Sequence, residues 1–159
     1  MKKKNIMIII LLVIIDQLIK IAILNSIAKT ANTVEILKIL KLTYVENTGA
    51  AFGMFSGNIL LIGVDIVIIF TILKLMLSKK YKITDLHRIG YSLILAGGTG
   101  NLIDRIFRGH VIDYIDISKI VDYPVFNFAD ICIVVGVIII MVIILISTVK
   151  SQENANARV

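Results

Sequence analysis

The sequence predicts an all-α integral membrane protein with four transmembrane helices and a small outer-face β element. Of its 159 residues 58% are apolar, and the mean hydropathy is +0.95. The apolar residues fall into four runs, each close to the roughly 20 residues that cross a bilayer. These runs lack the alternation of barrel strands, and lipid offers the backbone no hydrogen-bond partner. Each run is therefore predicted to be a helix.

The four predicted spans differ in how strongly polar residues interrupt them. They cover about residues 5–28, 59–77, 86–107 and 129–149. The first three carry charged residues, whereas the fourth is nearly all Ile, Val and Leu. Residues 1–150 are predicted to form a single transmembrane domain, followed by a cytoplasmic tail at residues 151–159.

Basic residues flank the spans unevenly and so predict the orientation of the chain. They precede the first span, surround the connection between the second and third, and follow the fourth: Lys2, Lys3, Lys4, Lys79, Lys80, Lys82, Arg88, Lys150 and Arg158. The positive-inside rule places these regions, and therefore both termini, in the cytoplasm. The lysine-led start also resembles a secretory signal, but it lacks a small-residue cleavage pattern, so an uncleaved first span is expected.

The connection between the first two spans, residues 29–58, is long for a bare loop. Within it, residues 34–45 partly alternate between apolar and polar side chains, which is typical of strands. The sequence therefore predicts a small sheet at the outer membrane surface.

Charge and cysteine content exclude several classes of protein. The net charge is +6, yet the positive residues flank apolar runs instead of forming a patch with aromatics, so no nucleic-acid partner is expected. Cys132 is the only cysteine, which rules out a disulfide scaffold. His87 and His110 lack metal-ligand spacing. We expect a monomer that uses no metal or organic cofactor.

Polar residues of three predicted helices reach one level near the outer boundary of the bilayer. They are Asp16, Lys20, Asn101, Asp104, Arg105, Asn127 and Asp130. At a rise of ~1.5 Å per residue, Asp16 lies about 16 Å and Lys20 about 22 Å from the inner end of the first helix. Ionisable residues inside a membrane are functional-site hypotheses by default. This convergence is the main functional signal in the sequence.

Structural explanations for the same residues remain open at this point. Asp16 and Lys20 form an i, i+4 pair and can neutralise each other on one helix face. Asp104 and Arg105 can anchor a helix end among lipid headgroups. Asp65 lies in the outer half of its span without an obvious partner and is interpreted as a packing or lumen residue.

Two functions other than catalysis are also compatible with a four-helix membrane protein. A small transporter or channel would line its pathway with the polar cluster, but the inner halves of these helices are almost wholly apolar. A membrane assembly factor would bind its partner through a glycine face. Gly97, Gly98 and Gly100 indicate close helix packing rather than phosphate binding, because the run lacks the lysine of a P-loop.

Carboxylates offer the most direct chemistry at the outer boundary. Four of them lie at or just outside it: Asp113, Asp116, Asp122 and Asp130. Two carboxylates that share a proton can hydrolyse an amide, one activating water while the other protonates the carbonyl. Depth and composition do not choose among the four.

Five motifs follow one another along the chain. They are Asp16-Gln17-x-x-Lys20, Asn47-x-Gly49-x-Ala51-Phe52, Gly100-Asn101-x-x-Asp104-Arg105, Val111-x-Asp113-Tyr114 and Phe126-Asn127-x-Ala129-Asp130. In this order they resemble the bacterial lipoprotein signal peptidases, the type II signal peptidases, over nearly the whole chain. The resemblance implies an aspartic endopeptidase of the bacterial cytoplasmic membrane, with its active site toward the outer face. Such an enzyme cleaves prolipoprotein signal peptides before a Cys that carries a diacylglyceryl group.

The resemblance also implies roles for individual residues. It implies that Asp113 and Asp130 are the catalytic pair, and it gives Asp116 and Asp122 no catalytic role. Substrate-binding or supporting roles fall to Asp16, Lys20, Asn47, Gly49, Asn101, Asp104, Arg105 and Asn127, without a metal. The implied partners are lipid-modified prolipoproteins and membrane lipid.

Two expectations about the site are more specific. Asp130 is predicted in the first helical turn, where the helix dipole favours a carboxylate, so we expect Asp130 to carry the charge and Asp113 the proton. Arg105 is expected either to stabilise a carboxylate such as Asp104 or to hold a substrate carbonyl or lipid headgroup.

Overall fold

The structure is a computed structural model that describes residues 3–30, 33–49, 58–78 and 83–156. Its four long helices are α1 (Lys3–Asn25), α2 (Asn58–Leu77), α3 (Asp85–Phe107) and α4 (Phe128–Asn156). Its three strands are β1 (Thr33–Leu37), β2 (Leu40–Asn47) and β3 (Val111–Asp116), and a 3-10 helix at Ile27–Lys29 follows α1. Several residues used above lie outside the described ranges: Lys2, Ala51, Phe52, Lys79, Lys80, Lys82 and Arg158.

The helices lie where the sequence predicts spans, with one difference at the carboxyl end. α4 continues to Asn156, so most of the expected tail is helical. Among the described residues, three helices are long and apolar enough to cross a membrane: Lys3–Lys29, Ile59–Leu77 and Phe128–Asn154. The described part of the chain is thus mostly helical with a small sheet, as predicted. α3 has the length of a span, but its charged and amide side chains lower its hydropathy.

α3 is the central helix of the structure. It packs against α1, α2 and α4. Eleven of its residues are buried: Gly90, Tyr91, Ser92, Ile94, Leu95, Ala96, Gly97, Gly98, Gly100, Asn101 and Asp104. The surrounding helices expose large apolar side chains instead, such as Leu18, Phe70 and Leu145. The most polar helix is therefore shielded by the three apolar ones.

Glycines allow α3 to approach its neighbours closely, which agrees with the packing interpretation of the glycine run. A Cβ at Gly97 would overlap the Ala129 carbonyl oxygen of α4. A Cβ at Gly100 would lie 2.5 Å from Asp16 Oδ2 of α1 and 3.4 Å from the Ala129 Cβ. These contacts bring the polar residues of three helices to one place.

The strands form an antiparallel sheet in the order β1-β2-β3. β1 and β2 pair as an antiparallel hairpin over the run of residues 34–45, for which the sequence predicts strand structure. β3 was not predicted, because its residues are almost all buried and show no alternation. In the register of β2 with β3, Val45 lies opposite Asp113 and Asn47 opposite Val111. The sheet thereby brings Asn47 beside Asp113.

Apolar packing attaches the sheet to the carboxyl-terminal end of α1. Ile23 and Ile27 form a buried cluster with Ile112 and Tyr114 of β3. After β3 the chain returns at Phe126, whose backbone N–H donates to the Ile115 carbonyl at 3.1 Å. α4 begins two residues later, so the sheet positions the first turn of α4 as well.

We expect Gly97→Ala to destabilise the protein, because the added methyl overlaps the α4 backbone. Overpacking of this kind costs about 1–3 kcal/mol of unfolding free energy. The matched control is Gly63→Ala on α2, where a Cβ would meet nothing within 4 Å. That control should leave stability unchanged or raise it, since Ala favours helix by about 1 kcal/mol over Gly. Thermal unfolding in detergent micelles measures both, and equal midpoints would contradict the close crossing.

Candidate active site

The ammonium group of Lys20 lies at the centre of a buried polar network. Its side chain is 0% exposed. Its Nζ contacts Asp16 Oδ2 at 2.9 Å, Asp104 Oδ2 at 2.7 Å and Asn101 Oδ1 at 3.1 Å. Three acceptors match the three protons of an ammonium. Asp16 and Lys20 therefore do neutralise each other, but within a network that also includes α3.

Asp104 connects this network to β3 and to the end of α3. Its Oδ2 accepts the Ile112 backbone N–H at 3.2 Å, and its Oδ1 is paired with the Arg108 guanidinium. Gln17 Nε2 also donates to Asp104 Oδ1, at 3.2 Å, and Arg108 donates to Gln17 Oε1 at 2.9 Å. Gln17 and Arg108 were not among the predicted site residues. For Gln17, the available signal was its place in the first motif.

Asn101 links Lys20 to Asp130. Because lysine only donates hydrogen bonds, the amide oxygen of Asn101 must face Lys20. Its Nδ2 then faces Asp130 and donates to Oδ1 at 2.8 Å. The position of the buried ammonium thus decides which group the Asn101 amide presents to the carboxylate.

Asn127 lies between Asp113 and Asp130. Its Oδ1 accepts the Asp130 backbone N–H at 3.0 Å, while its own N–H donates to Asp130 Oδ2 at 3.1 Å. This reciprocal pair is a capping box at the start of α4. Since the oxygen of the Asn127 amide is engaged, its Nδ2 is left to donate to Asp113 Oδ1, at 2.6 Å. One asparagine therefore contacts both carboxylates.

Asn47 supplies the second hydrogen bond to Asp113. Its Nδ2 donates to Asp113 Oδ2 at 2.8 Å, and its Oδ1 accepts the Gly49 backbone N–H at 2.8 Å. Gly49 has φ +76°, in the left-handed region that glycine adopts without strain. The turn at Gly49 thereby orients the Asn47 amide toward the carboxylate.

Asp113 and Asp130 together have four carboxyl oxygens, and each accepts one hydrogen bond from the groups described above. Asp113 is 2% exposed, whereas Asp130 is partly exposed. Burial raises the pKa of the Asp113 carboxyl to about 6, and the nearby charge of Asp130 adds to this rise. The hydrogen bonds from Asn47 and Asn127 act in the opposite direction. Asp113 is thus a carboxyl that takes up a proton near neutral pH.

Arg105 pairs with a carboxylate, in line with the first of its two expectations, and that carboxylate belongs to Asp65. Its Nη1 lies 2.7 Å from Asp65 Oδ2 of α2, and both side chains are largely buried. Asp65, which has no obvious partner in the sequence, therefore has one in the structure. The sequence offered no signal for this pair, because tertiary packing between distant segments decides which side of α2 contacts α3.

Asp116 and Asp122 lie away from the pair formed by Asp113 and Asp130. Asp116 accepts hydrogen bonds from the Ser118 N–H at 2.9 Å and from Thr43 Oγ1 at 3.0 Å. Chiefly the bonds from Ser118, and to a smaller extent that from Thr43, hold the pKa of its carboxyl below the usual range. Asp122 is exposed. Within the described ranges, no group of three or more His, Cys, Asp or Glu side chains could hold a metal ion.

Two openings flank the carboxylate pair. A cavity of about 360 Å³ beside Asp113 is lined by β2 and the Pro124–Val125 segment. An apolar groove of about 270 Å³ beside Asp130 is lined by Ile117, Val121, Tyr123, Phe126, Ile131, Val134 and Val135. The pair thus has a cleft of mixed polar and apolar lining on one side and an apolar groove on the other.

We expect Lys20→Met to destabilise the protein strongly, because it leaves Asp16 and Asp104 with one buried cation fewer. Breaking a buried ion pair by removing one partner costs about 3–5 kcal/mol. The control Lys29→Met removes an exposed lysine that donates to Asn25 Oδ1 at 3.0 Å, and it should leave unfolding unchanged. Thermal unfolding of the two variants in the same detergent is the measurement. Equal losses in both would contradict a central role for Lys20.

Comparison with known proteins identifies the family. The family described as Signal peptidase (SPase) II, Peptidase_A8, matches residues 8–146. The lipoprotein signal peptidase of Clostridium acetobutylicum is 39% identical over 143 residues, covering 88% of this chain and 92% of that protein. The lipoprotein signal peptidase of Clostridioides difficile is 40% identical over 147 residues, covering 92% and 98%.

A solved structure agrees with this relationship. It is described as a bacterial membrane enzyme and superposes with a TM-score of 0.81 at 32% identity, covering 89% of this chain and 92% of its own. The resemblance found in the five motifs is confirmed by these matches. The chain belongs to the signal peptidase II family.

Proposed function

We propose that this membrane protein removes signal peptides from prolipoproteins by an aspartic mechanism in which Asp113 and Asp130 are the catalytic residues. Family membership supports the activity. The observation that carries the assignment of the pair is that both carboxylates contact Asn127 at the junction of the cleft and the apolar groove. The bond to be cleaved is the peptide bond before a Cys that carries a diacylglyceryl group.

The reaction needs one proton on the carboxylate pair. Asp130 as carboxylate removes a proton from a water molecule, whose oxygen attacks the scissile carbonyl while Asp113 protonates the carbonyl oxygen. The tetrahedral intermediate then collapses: the C–N bond breaks, the nitrogen takes the proton held by Asp130, and Asp113 recovers its own proton. The products are the free signal peptide and a lipoprotein with a new amino terminus.

The environment of each carboxyl supports this division of roles. The raised pKa of Asp113, about 6, makes its protonated form much more populated near pH 6 than that of an ordinary aspartic acid. Asp130 accepts the Asn127 backbone N–H in the first turn of α4, where the helix dipole favours negative charge.

The groove beside Asp130 supports a lipid-modified substrate. Its lining is almost wholly apolar, and it continues along the outer part of α4. Acyl chains bound there would remain in the outer leaflet while the signal helix lies in the bilayer. Asn47 and Gly49 stand at the rim of the opposite cleft and contribute to binding the polypeptide. Arg105, held by Asp65, contributes to the same outer surface.

The proposed membrane arrangement has α3 as the fourth span within a single domain of residues 1–150. Its support is the burial of α3 by three apolar helices, which separate its polar groups from lipid. The basic residues at the chain ends support cytoplasmic termini in a bacterial cytoplasmic membrane, with the sheet on the outer face. We propose that the protein acts as a monomer. A channel or an assembly factor is not favoured, since neither needs the paired carboxylates.

Cysteine labelling tests this orientation. In a Cys132→Ala background, we expect Lys119→Cys to react with a membrane-impermeant maleimide in intact cells. Lys150→Cys should react only after the membrane is permeabilised. Labelling of Lys150→Cys in intact cells would contradict the cytoplasmic carboxyl terminus.

We expect Asp113→Asn and Asp130→Asn each to lower cleavage of a diacylglyceryl-modified prolipoprotein by at least about a thousandfold, because either variant removes one of the two proton-transfer groups. The matched control is Asp122→Asn, an exposed acid of the same outer segment, which should keep full activity. Gel separation of precursor and product by purified protein in detergent measures the rates. Persisting cleavage in either dyad variant would refute the aspartic pair, and intact precursor with the unmodified enzyme would refute the function.

The pH dependence of cleavage follows from the hydrogen bond of Asn47. Asp113 must be protonated for catalysis, so the rate should fall as pH rises through its pKa of about 6. The Asn47 bond stabilises the ionised form, so Asn47→Leu should raise this pKa and move the falling limb to higher pH by less than about one pH unit. Thr43→Ala, on the same strand but bonded to Asp116, should not move it. A limb that shifts to lower pH in Asn47→Leu would refute this role for Asp113.

A further inference from the structure

A second polar cavity lies at the end of the helix bundle opposite Asp113 and Asp130. It has a volume of about 90 Å³ between the first turns of α1 and α3, and it is lined by Lys4, Asn5, Ile8, Asp85, Ile89 and Ser92. Asn5 is about 22 Å along α1 from Lys20, at the helical rise of 1.5 Å per residue. The cavity is therefore separate from the carboxylate pair and its network.

Two buried side chains that line this cavity each carry a polar atom without a hydrogen-bond partner in the described structure. Asn5 is 6% exposed and Ser92 is 0% exposed, and neither Asn5 Nδ2 nor Ser92 Oγ has a partner in the described structure. Buried polar groups in proteins are normally satisfied, so each orphan needs an explanation. An amide NH₂ only donates, which means that the group missing beside Asn5 is an acceptor. The Ser92 hydroxyl can donate to the same group.

The surroundings of the two donors indicate an anion at a membrane surface. Lys4 is exposed at the rim and adds a positive charge, while the carboxylate of Asp85 at the same rim lies 3.8 Å from Arg88 Nε. Ile8 and the partly exposed Ile89 give the cavity an apolar side toward lipid. Donors inside, a cation at the rim and an apolar side together match the phosphate and glycerol region of a phospholipid.

We propose that this cavity binds the phosphate group of a glycerophospholipid in the inner leaflet. The phosphate oxygens accept hydrogen bonds from Asn5 Nδ2, Ser92 Oγ and Lys4 Nζ, and the acyl chains leave along Ile8 and Ile89. The assignment to the inner leaflet rests on the proposed orientation of the helices. It does not depend on the peptidase chemistry, because no residue of the cavity contacts the carboxylate network.

Native mass spectrometry of the purified full chain in detergent tests the proposal. We expect one phosphatidylglycerol molecule to remain bound per chain, with diacylglycerol of the same acyl chains bound much more weakly. Asn5→Leu and Ser92→Ala should each weaken phosphatidylglycerol binding by roughly tenfold, the effect of losing one hydrogen bond to a charged group. The matched control is Asn25→Leu at the other end of α1, where Asn25 is exposed and bonds Lys29. It should bind phosphatidylglycerol like the unmodified chain.

Three results would overturn the proposal. Equal binding of diacylglycerol and phosphatidylglycerol would show that the phosphate is not recognised. Equal binding of inorganic phosphate at matched concentration would assign the cavity to a soluble anion. Unchanged binding of phosphatidylglycerol in both Asn5→Leu and Ser92→Ala would show that the lipid does not bind in this cavity. Lys4→Ala keeps the test valid if a buried variant fails to fold, because Lys4 is exposed and its loss should also weaken phosphatidylglycerol binding.

Discussion

The buried ammonium of Lys20 is the constraint on which the rest of the site depends. It has no exposed surface and three acceptors, two of them carboxylates. A cation in this position requires a carboxylate beside it, which Asp16 of α1 and Asp104 of α3 supply, since an unpaired buried charge is strongly unfavourable. The ammonium group also holds α1 close to α3, because Lys20 of α1 contacts Asp104 and Asn101 of α3 directly. The crossing of these helices, the glycine at position 100 and the orientation of Asn101 all follow from the same contact.

Three asparagine side chains of the network are oriented in the same way, with the amide oxygen on a donor and the amide NH₂ on a carboxylate. Asn101, Asn127 and Asn47 each have an oxygen occupied by a donor: the ammonium of Lys20, the N–H of Asp130 and the N–H of Gly49, respectively. Each amide NH₂ is thereby turned toward a carboxylate. The carboxylates consequently receive hydrogen bonds from fixed donors on α3, α4 and the sheet. Donors positioned before the reaction need no reorganisation when charge moves between the two carboxyls.

The sequence predicted the architecture well where one segment carries the signal and poorly where two segments must meet. Run length and hydropathy located all four helices, and alternation located the strand-forming region of β1 and β2. β3 was not predicted, because the side chains of a strand buried on both faces do not alternate between polar and apolar. The pairing of Arg105 with Asp65 was not predicted, because it depends on which side of α2 packs against α3. Depth placed four acids near the outer boundary, and only the resemblance chose Asp113 and Asp130 from them.

The low hydropathy of α3 explains why the fold has three apolar helices around a polar one. Asn101 and Asp104 must lie on one helix to reach both Lys20 and the start of α4, so α3 cannot be made apolar without losing the network. Lipid penalises such groups where they face it, and burial by neighbouring helices removes that penalty. Close burial in turn requires glycine at the crossings with α1 and α4. The chemistry of the site thus decides which helix is central and where the small residues must lie.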